Sequence, residues 1–219
     1  MNEDDKPSTS IEAAIQSPEL ISLSKEYGEL AIDGMLDDGT LKDLPVVGSI
    51  VGLVSFGSSI SKMLFAKKIY KFLFQLNSVP DYQRRIEVQE INGSTKHQSS
   101  VGTTILELLD KVDGDFKPEI LGKMFVSVLQ GKTTYVDFLR ASHVLSNTFY
   151  YDLLELKEHC EGNIVKGLPI KDTIYHSGLT DTDFAGGFRE YMDDPNSDKV
   201  ESETKLSKIG ELVVKIGMA

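Results

Sequence analysis

Cysteine and basic residues are scarce in this sequence, and each shortage argues against a class of protein. The one cysteine, Cys160, cannot form an internal disulfide, so the chain fits a reducing compartment. Lysine and arginine number 23 against 34 aspartates and glutamates, which gives a net charge of −11. Nucleic-acid binding needs clustered basic side chains. This balance argues against a nucleic-acid partner.

The first ten residues, MNEDDKPSTS, lack the basic and apolar layout of a secretory signal. They are acidic and polar instead. We expect a cytoplasmic protein, with any membrane contact peripheral and on the inner face.

Recognisable catalytic and ligand-binding motifs are missing as well. Asp113 and Asp115 lack the glycine and the terminal glutamate of a calcium-binding loop. The four histidines do not fall at zinc-binding spacing: His97, His143, His159 and His176. Cys160 follows a histidine without an activating motif, which favours an unreactive, partly buried thiol. We therefore expect no catalytic residue, no metal, no cofactor and no enzymatic activity.

Acidic residues are absent from a long apolar stretch, residues 44–76, LPVVGSIVGLVSFGSSISKMLFAKKIYKFLFQL. In an acidic chain, such a stretch needs a hydrophobic core or a bilayer around it. Its pattern predicts two helical arms bent around Phe56-Gly57-Ser58, the second with apolar residues opposite basic ones. The lysines all lie in the second half: Lys62, Lys67, Lys68 and Lys71.

Three environments fit this stretch. A basic amphipathic helix is typical of reversible contact with an anionic membrane surface, and also of a core helix with a solvated lysine face. The stretch is long enough to span a bilayer permanently. However, its glycines and serines from Gly48 to Ser61 contribute little to the free energy of membrane insertion. The residues expected to contact a membrane or partner are Val47, Ile50, Val51, Leu53, Phe56, Lys62, Phe65, Lys67, Lys68, Lys71 and Phe72.

Three glycines in the same stretch suggest close helix packing. Gly48 and Gly52 form a GxxxG pair, which lets helix backbones approach one another. Gly57 follows at the expected bend. If Gly52 is closely packed, replacing it by leucine destabilises the fold by about 1–3 kcal/mol through overpacking.

The chain divides by composition into three parts. Residues 1–16 are expected to be a disordered acidic tail, and residues 17–133 a helical domain that contains the apolar stretch. Ser17-Pro18 predicts the start of an acidic helix ending near residue 38, either solvated or a releasable cover for the basic second arm. Thr134 and Asp137 predict the start of a further helix by mutual capping.

The remaining part, residues 134–219, carries the sequences HSGL at His176–Leu179 and LSKIGELV at Leu206–Val213, beside possible strands at Phe188–Met192 and Val200–Lys205. This order of helices, hairpin and terminal helix resembles a winged-helix module. In a DNA-reading member of this family, the recognition helix and the wing are expected to be basic. The candidate recognition helix here, residues 168–176, offers only Lys171. The wing is acidic at Asp181, Asp183, Glu190, Asp193, Asp194, Asp198, Glu201 and Glu203. The resemblance therefore implies a protein partner at an acidic hairpin.

The fold class that follows is mainly α: a multi-helix bundle around a central apolar hairpin, with a small C-terminal winged-helix-like α+β part. The first functional hypothesis is a non-enzymatic protein making regulated or peripheral membrane contact through residues 44–76. A bacterial stress or phage-defence effector fits this pattern. The alternative is a soluble adaptor with that stretch in its core, and the third is a winged-helix DNA-binding regulator.

Overall fold

The computed structural model describes residues 6–18, 45–53, 59–95, 97, 99–166, 174, 177–182 and 204–219. These residues are mainly helical, with a small four-stranded antiparallel sheet towards the C-terminus. They fall into two compact units that divide between Phe138 and Leu139, and each unit is described by itself. The predicted acidic helix after Ser17-Pro18, the bend at 56–58 and the strand at 188–192 lie outside the described residues.

The described residues of the first unit are mainly helical. A 3₁₀ turn, Leu76–Ser78, follows α3, and the last helix begins in this unit and ends in the second. The helices are α1 (Pro7–Gln16), α2 (Pro45–Leu53), α3 (Ser59–Gln75), α4 (Asp81–Gly93), α5 (Val101–Lys111), α6 (Lys117–Leu129) and α7 (Tyr135–Asn147).

Helix α3 packs along α6, and their apolar faces form the core of the unit. The ring centroids of Phe72 and Phe125 lie 5.8 Å apart, and those of Phe125 and Phe138 lie 5.3 Å apart. The two helices approach closely at Gly122, where an added Cβ would lie 2.8 Å from the carbonyl oxygen of Phe72. The second arm of the apolar stretch thus contributes buried side chains to this core.

Residues 7–16 are helical, so the expected disordered tail is wrong over this range. Pro7 occupies the first turn, where proline is tolerated because its missing N–H has no intrahelical acceptor. Ile11, Ala14 and Ile15 then repeat at helical spacing and are buried. The acidic composition of the N-terminus hid this short apolar face, which packs against α2, α4 and α5.

Polar contacts of Glu12 join α1 to α4 and α5. The carboxylate of Glu12 accepts hydrogen bonds from the backbone N–H of Gly102 (3.2 Å) and the side-chain amide of Asn92 (2.6 Å). Asn92 in turn accepts from the N–H of Val101 (2.9 Å). These bonds satisfy N–H groups at the start of α5 that have no partner within the helix. A residue of α1 therefore helps to cap another helix.

The second unit contains the end of α7, helix α8 (Tyr150–Glu158) and strands β1 (Cys160–Glu161), β2 (Ile164–Val165), β3 (Thr180–Thr182) and β4 (Thr204–Leu206). The sheet order is β1-β2-β4-β3, and every neighbouring pair is antiparallel. The chain ends in α9 (Lys208–Gly210), which continues as a π-helical segment, Glu211–Gly217.

Two features of this sheet differ from the sequence-based expectation. Strand β4 overlaps the end of the predicted strand at 200–205, but its hairpin partner is Thr180–Thr182. The β1–β2 hairpin was not predicted, because two-residue strands are too short to show an alternating pattern. Gly162 turns the chain between them with a φ of 65°. By contrast, the predicted start of α7 is confirmed: the Thr134 hydroxyl accepts from the Asp137 N–H (3.1 Å).

Candidate functional site

The apolar side chains expected to contact a membrane or partner are buried wherever the structure describes them: Val47, Ile50, Val51, Phe65 and Phe72. In this conformation they are not accessible to a membrane or partner, so their role as contact residues stays a prediction. Helix α2 packs against α1 and α3, and α3 packs against α6, so protein surfaces take up the apolar faces of both arms. The side chains of Leu53 and Phe56 lie outside the described residues.

The predicted lysine face contacts the turn between α5 and α6. Lys67 forms an ion pair with Asp115 at 2.7 Å, and Lys71 donates to the backbone carbonyl of Asp115 at 3.0 Å. Lys68 donates to the carbonyl oxygens of Leu109 (3.1 Å) and Val112 (2.7 Å). These carbonyls end α5, where the partial negative charge of the helix dipole favours a cation. Lys67, Lys68 and Lys71 therefore bind the protein itself, while Lys62 is half-buried.

The partner of these lysines was not predicted from the sequence, although the acidic turn after α5 is visible in it. Asp113 and Asp115 follow α5 directly, with Gly114 between them at a φ of 66°. This left-handed conformation suits glycine and lets the chain turn back towards α3. The acids lie more than 40 residues from the lysines in sequence. Their pairing is a tertiary contact that local patterning does not reveal.

Burial lowers the pKa of Lys68, and the nearby carboxylates of Asp110 and Asp113 partly offset the shift. The hydrogen bond from Lys117 to Asp113 lowers the pKa of Asp113, against the opposing effect of burial. Lys117 is almost fully buried, whereas the carboxylate of Asp113 is 68% exposed. The turn is thus held by cations from α3 and α6.

The depressed pKa of Asp113 predicts a pH-dependent contribution to stability. The ion pair stabilises the fold above the unfolded-state pKa, and this contribution is lost as pH falls through the lower folded-state pKa. Asp113→Asn should cost at most about 1 kcal/mol at pH 7, because the exposed carboxylate is screened by water. Urea unfolding at pH 7 and pH 3 measures the difference between wild type and variant. A difference that stays constant as pH falls would contradict the assignment.

A cleft of about 520 Å³ lies beside these lysines and is called the α3–α5 cleft. Its described lining residues come from α3 and from the region between Asp110 and the turn: Ser61, Leu64, Phe65, Lys68, Asp110, Gly114 and Asp115. Leu64 is 51% exposed, so the cleft has an accessible apolar wall beside the carboxylates of Asp110 and Asp115. Nearby, the ring of Phe116 is 54% exposed, with the ammonium of Lys71 5.7 Å from its centroid. This arrangement suits an apolar group flanked by a cation.

The described residues offer little for catalysis or metal binding. Over these ranges, no group of three or more His, Cys, Asp or Glu side chains could hold a metal ion. Burial raises the pKa of the Cys160 thiol, and the charge of Lys215 only partly opposes it. The thiol is therefore mostly protonated at pH 7 and a weak nucleophile.

Close packing at Gly52 is not seen among the described residues. Gly52 is exposed, and no atom of the described residues lies within 4 Å of the position that its Cβ would take. Gly48 is half-buried, and Gly57 lies outside the described residues. Helices instead approach one another most closely at Gly102 and Gly122, where an added Cβ would overlap backbone atoms of α1 and α3. The GxxxG spacing identifies small residues on a helix, but it does not indicate which side of the helix another helix covers.

The open space at Gly52 gives a stability prediction. Gly52→Ala should leave the free energy of unfolding unchanged or raise it by up to about 1 kcal/mol, since alanine is the better helix former. Thermal unfolding followed by circular dichroism measures the change. A loss of stability would mean that Gly52 packs closely after all.

No helix among the described residues combines the length and the apolar character needed to cross a bilayer. Comparisons of the chain with protein-family models, with curated proteins and with solved structures found no match.

Proposed function

We propose that this chain is a non-enzymatic cytoplasmic adaptor that binds a protein partner through its first unit. The observation that carries the proposal is the burial of Val47, Ile50, Phe65 and Phe72. An apolar stretch that the protein itself covers can serve as a core, and this supports the adaptor role over direct membrane contact. We also propose that this stretch lies at the centre of a multi-helix bundle.

The α3–α5 cleft gives this adaptor a binding site. Leu64 supplies apolar surface that is half exposed, and Asp110 is exposed at the rim. Apolar side chains that enter pockets supply most of the binding energy at protein interfaces, while charges at the rim guide the partner's approach. The matching partner is a peptide segment with an apolar side chain beside a lysine or arginine.

A random peptide library selected on the full chain tests this site. Peptides with an apolar residue beside a basic one should bind wild type and lose affinity at least tenfold for Leu64→Asp. Leu64 is exposed, so thermal unfolding should show that this variant is folded. Val136→Asp is the matched control, because Val136 is 43% exposed on α7 and does not line the cleft. Selected peptides that bind both variants equally, or that lack basic residues, would count against the cleft.

Conditional membrane contact is the second candidate, and α2 favours it. This helix, PVVGSIVGL, contains no charged residue, and its buried side chains pack against α1 and α3. Release of α1 would expose them to an anionic membrane surface. Flotation with anionic vesicles at low salt separates the candidates: the adaptor stays in the soluble fraction, and a membrane-contacting protein floats with the lipid.

For the second unit we propose a winged-helix-like module that contacts protein through its acidic hairpin. The antiparallel order β2-β4-β3, followed by a terminal helix, supports this assignment. The hairpin tip, residues 183–203, lies outside the described residues. A DNA-binding role predicts retention on duplex DNA that weakens as salt rises. An adaptor should show no retention even at low salt.

A further inference from the structure

The outward face of α4 carries a line of exposed residues with coiled-coil spacing. Tyr82 is 60% exposed and Ile86 is 50% exposed, and the exposed residues Gln89 and Gly93 continue the line. The steps of four, three and four residues place all four on one side of the helix. No atom of the described residues lies within 4 Å of the position that a Cβ on Gly93 would take. A second helix could therefore approach this end of α4 closely.

Charges of opposite sign flank this line. Arg85, which also pairs with Asp81 one turn away on the same helix, lies on one side and Glu90 on the other, and both Arg85 and Glu90 are exposed. They are five residues apart. When two identical helices pair in parallel, side chains at such flanking positions form ion pairs between helices. Arg85 of each copy would then reach Glu90 of the other, which gives two equivalent pairs.

The same geometry disfavours the antiparallel arrangement. In an antiparallel pair, Arg85 would face Asn92 of the second copy instead of a carboxylate. Asn92 is already hydrogen bonded to Glu12 and to the N–H of Val101. A β-branched residue such as Ile86 at a central position also favours two parallel strands.

We propose that the outward face of α4 packs in parallel against the same face of a second copy of this chain. The interaction is independent of the adaptor role, because α4 contributes no described residue to the α3–α5 cleft. One pair of short helices buries less surface than a standard stable interface. The dimer should therefore be weak and form at high protein concentration.

Sedimentation velocity over a hundredfold concentration range tests the dimer. The sedimentation coefficient of wild type should rise with concentration, whereas Ile86→Lys should stay monomeric throughout. Val136→Lys is the matched control, since Val136 is 43% exposed but lies on α7 outside both α4 and the cleft, and it should behave as wild type. A wild type that is monomeric at every concentration, or a dimer that survives Ile86→Lys, would overturn the proposal.

Charge exchange tests the parallel orientation. Glu90→Arg and Arg85→Glu should each weaken the dimer, because each places like charges opposite one another. The double variant Arg85→Glu/Glu90→Arg restores both pairs with exchanged signs and should recover dimerisation. Glu107→Arg on α5 controls for the change in net charge, and circular dichroism controls for folding. Failure of the double variant to recover, with Ile86→Lys still monomeric, would overturn the parallel arrangement.

Discussion

Arg84→Met should destabilise the first unit by about 3–5 kcal/mol, because it removes a buried guanidinium and leaves backbone carbonyls without their donors. Arg84 is fully buried, and it donates to the carbonyl oxygens of Ile15 (2.7 Å), Ser17 (2.5 Å), Val79 (2.6 Å) and Leu76 (3.1 Å). The first two carbonyls end α1, and the others follow α3. One side chain thus ties together two helix ends that are about 60 residues apart in sequence.

Arg85→Met is the matched control. Its side chain is 51% exposed and pairs with Asp81 one turn away, so its loss should cost about 0.3–0.5 kcal/mol. Hydrogen exchange of the α1 amides gives a local readout, and Arg84→Met should increase their exchange far more than the control does. Equal effects of the two substitutions on exchange and on urea unfolding would show that the buried hydrogen bonds contribute little.

The burial of Arg84, unlike its hydrogen-bond partners, is readable from the sequence pattern of α4. Arg84, Val88 and Ile91 repeat at helical spacing and form the buried face of α4. An arginine on an apolar face must find hydrogen-bond partners when the helix packs, because an unpaired buried charge is costly. Position therefore indicates burial, but the carbonyls that Arg84 binds depend on the tertiary fold.

Local signals predicted much of the helical part of the fold. Pro118 and Gly131 mark the two ends of α6, and Asn92-Gly93 marks the end of α4, where caps and breakers act on a few neighbouring residues. These signals do not depend on the rest of the chain, so they are readable from sequence. The mainly helical class follows from them.

The candidate site was harder to predict because it is made of long-range contacts. The lysines of α3 were identified, but Asp115, which pairs with Lys67, lies 48 residues away. Likewise, Glu12 contacts Gly102 across 90 residues. An amphipathic pattern shows that a helix has an apolar face, but whether protein or lipid covers it depends on segments elsewhere in the chain. This is why the sequence left open whether protein or membrane covers the apolar residues of α2 and α3.

Gly102→Ala should destabilise the first unit by at least about 3 kcal/mol, beyond the usual cost of overpacking, because the obstacle is backbone. A Cβ at Gly102 would overlap the carbonyl oxygen of Ser8 and lie 3.1 Å from the Cβ of Glu12. Neither helix backbone can rotate away as a side chain can, so α1 would have to separate from α5. That separation would also lengthen the hydrogen bond from the Gly102 N–H to Glu12.

Gly93→Ala on α4 is the control for Gly102→Ala, since it makes the same chemical change where the structure leaves open space. The two variants share any gain in helix propensity, so the difference between them isolates the steric cost of the α1–α5 crossing. Urea unfolding should place Gly102→Ala well below wild type and Gly93→Ala at or above it. Similar stability in the two variants would mean that α1 does not pack against α5 in solution. The apolar side chains of α2 that α1 covers would then be accessible, and conditional membrane contact would become the better explanation of the acid-free stretch.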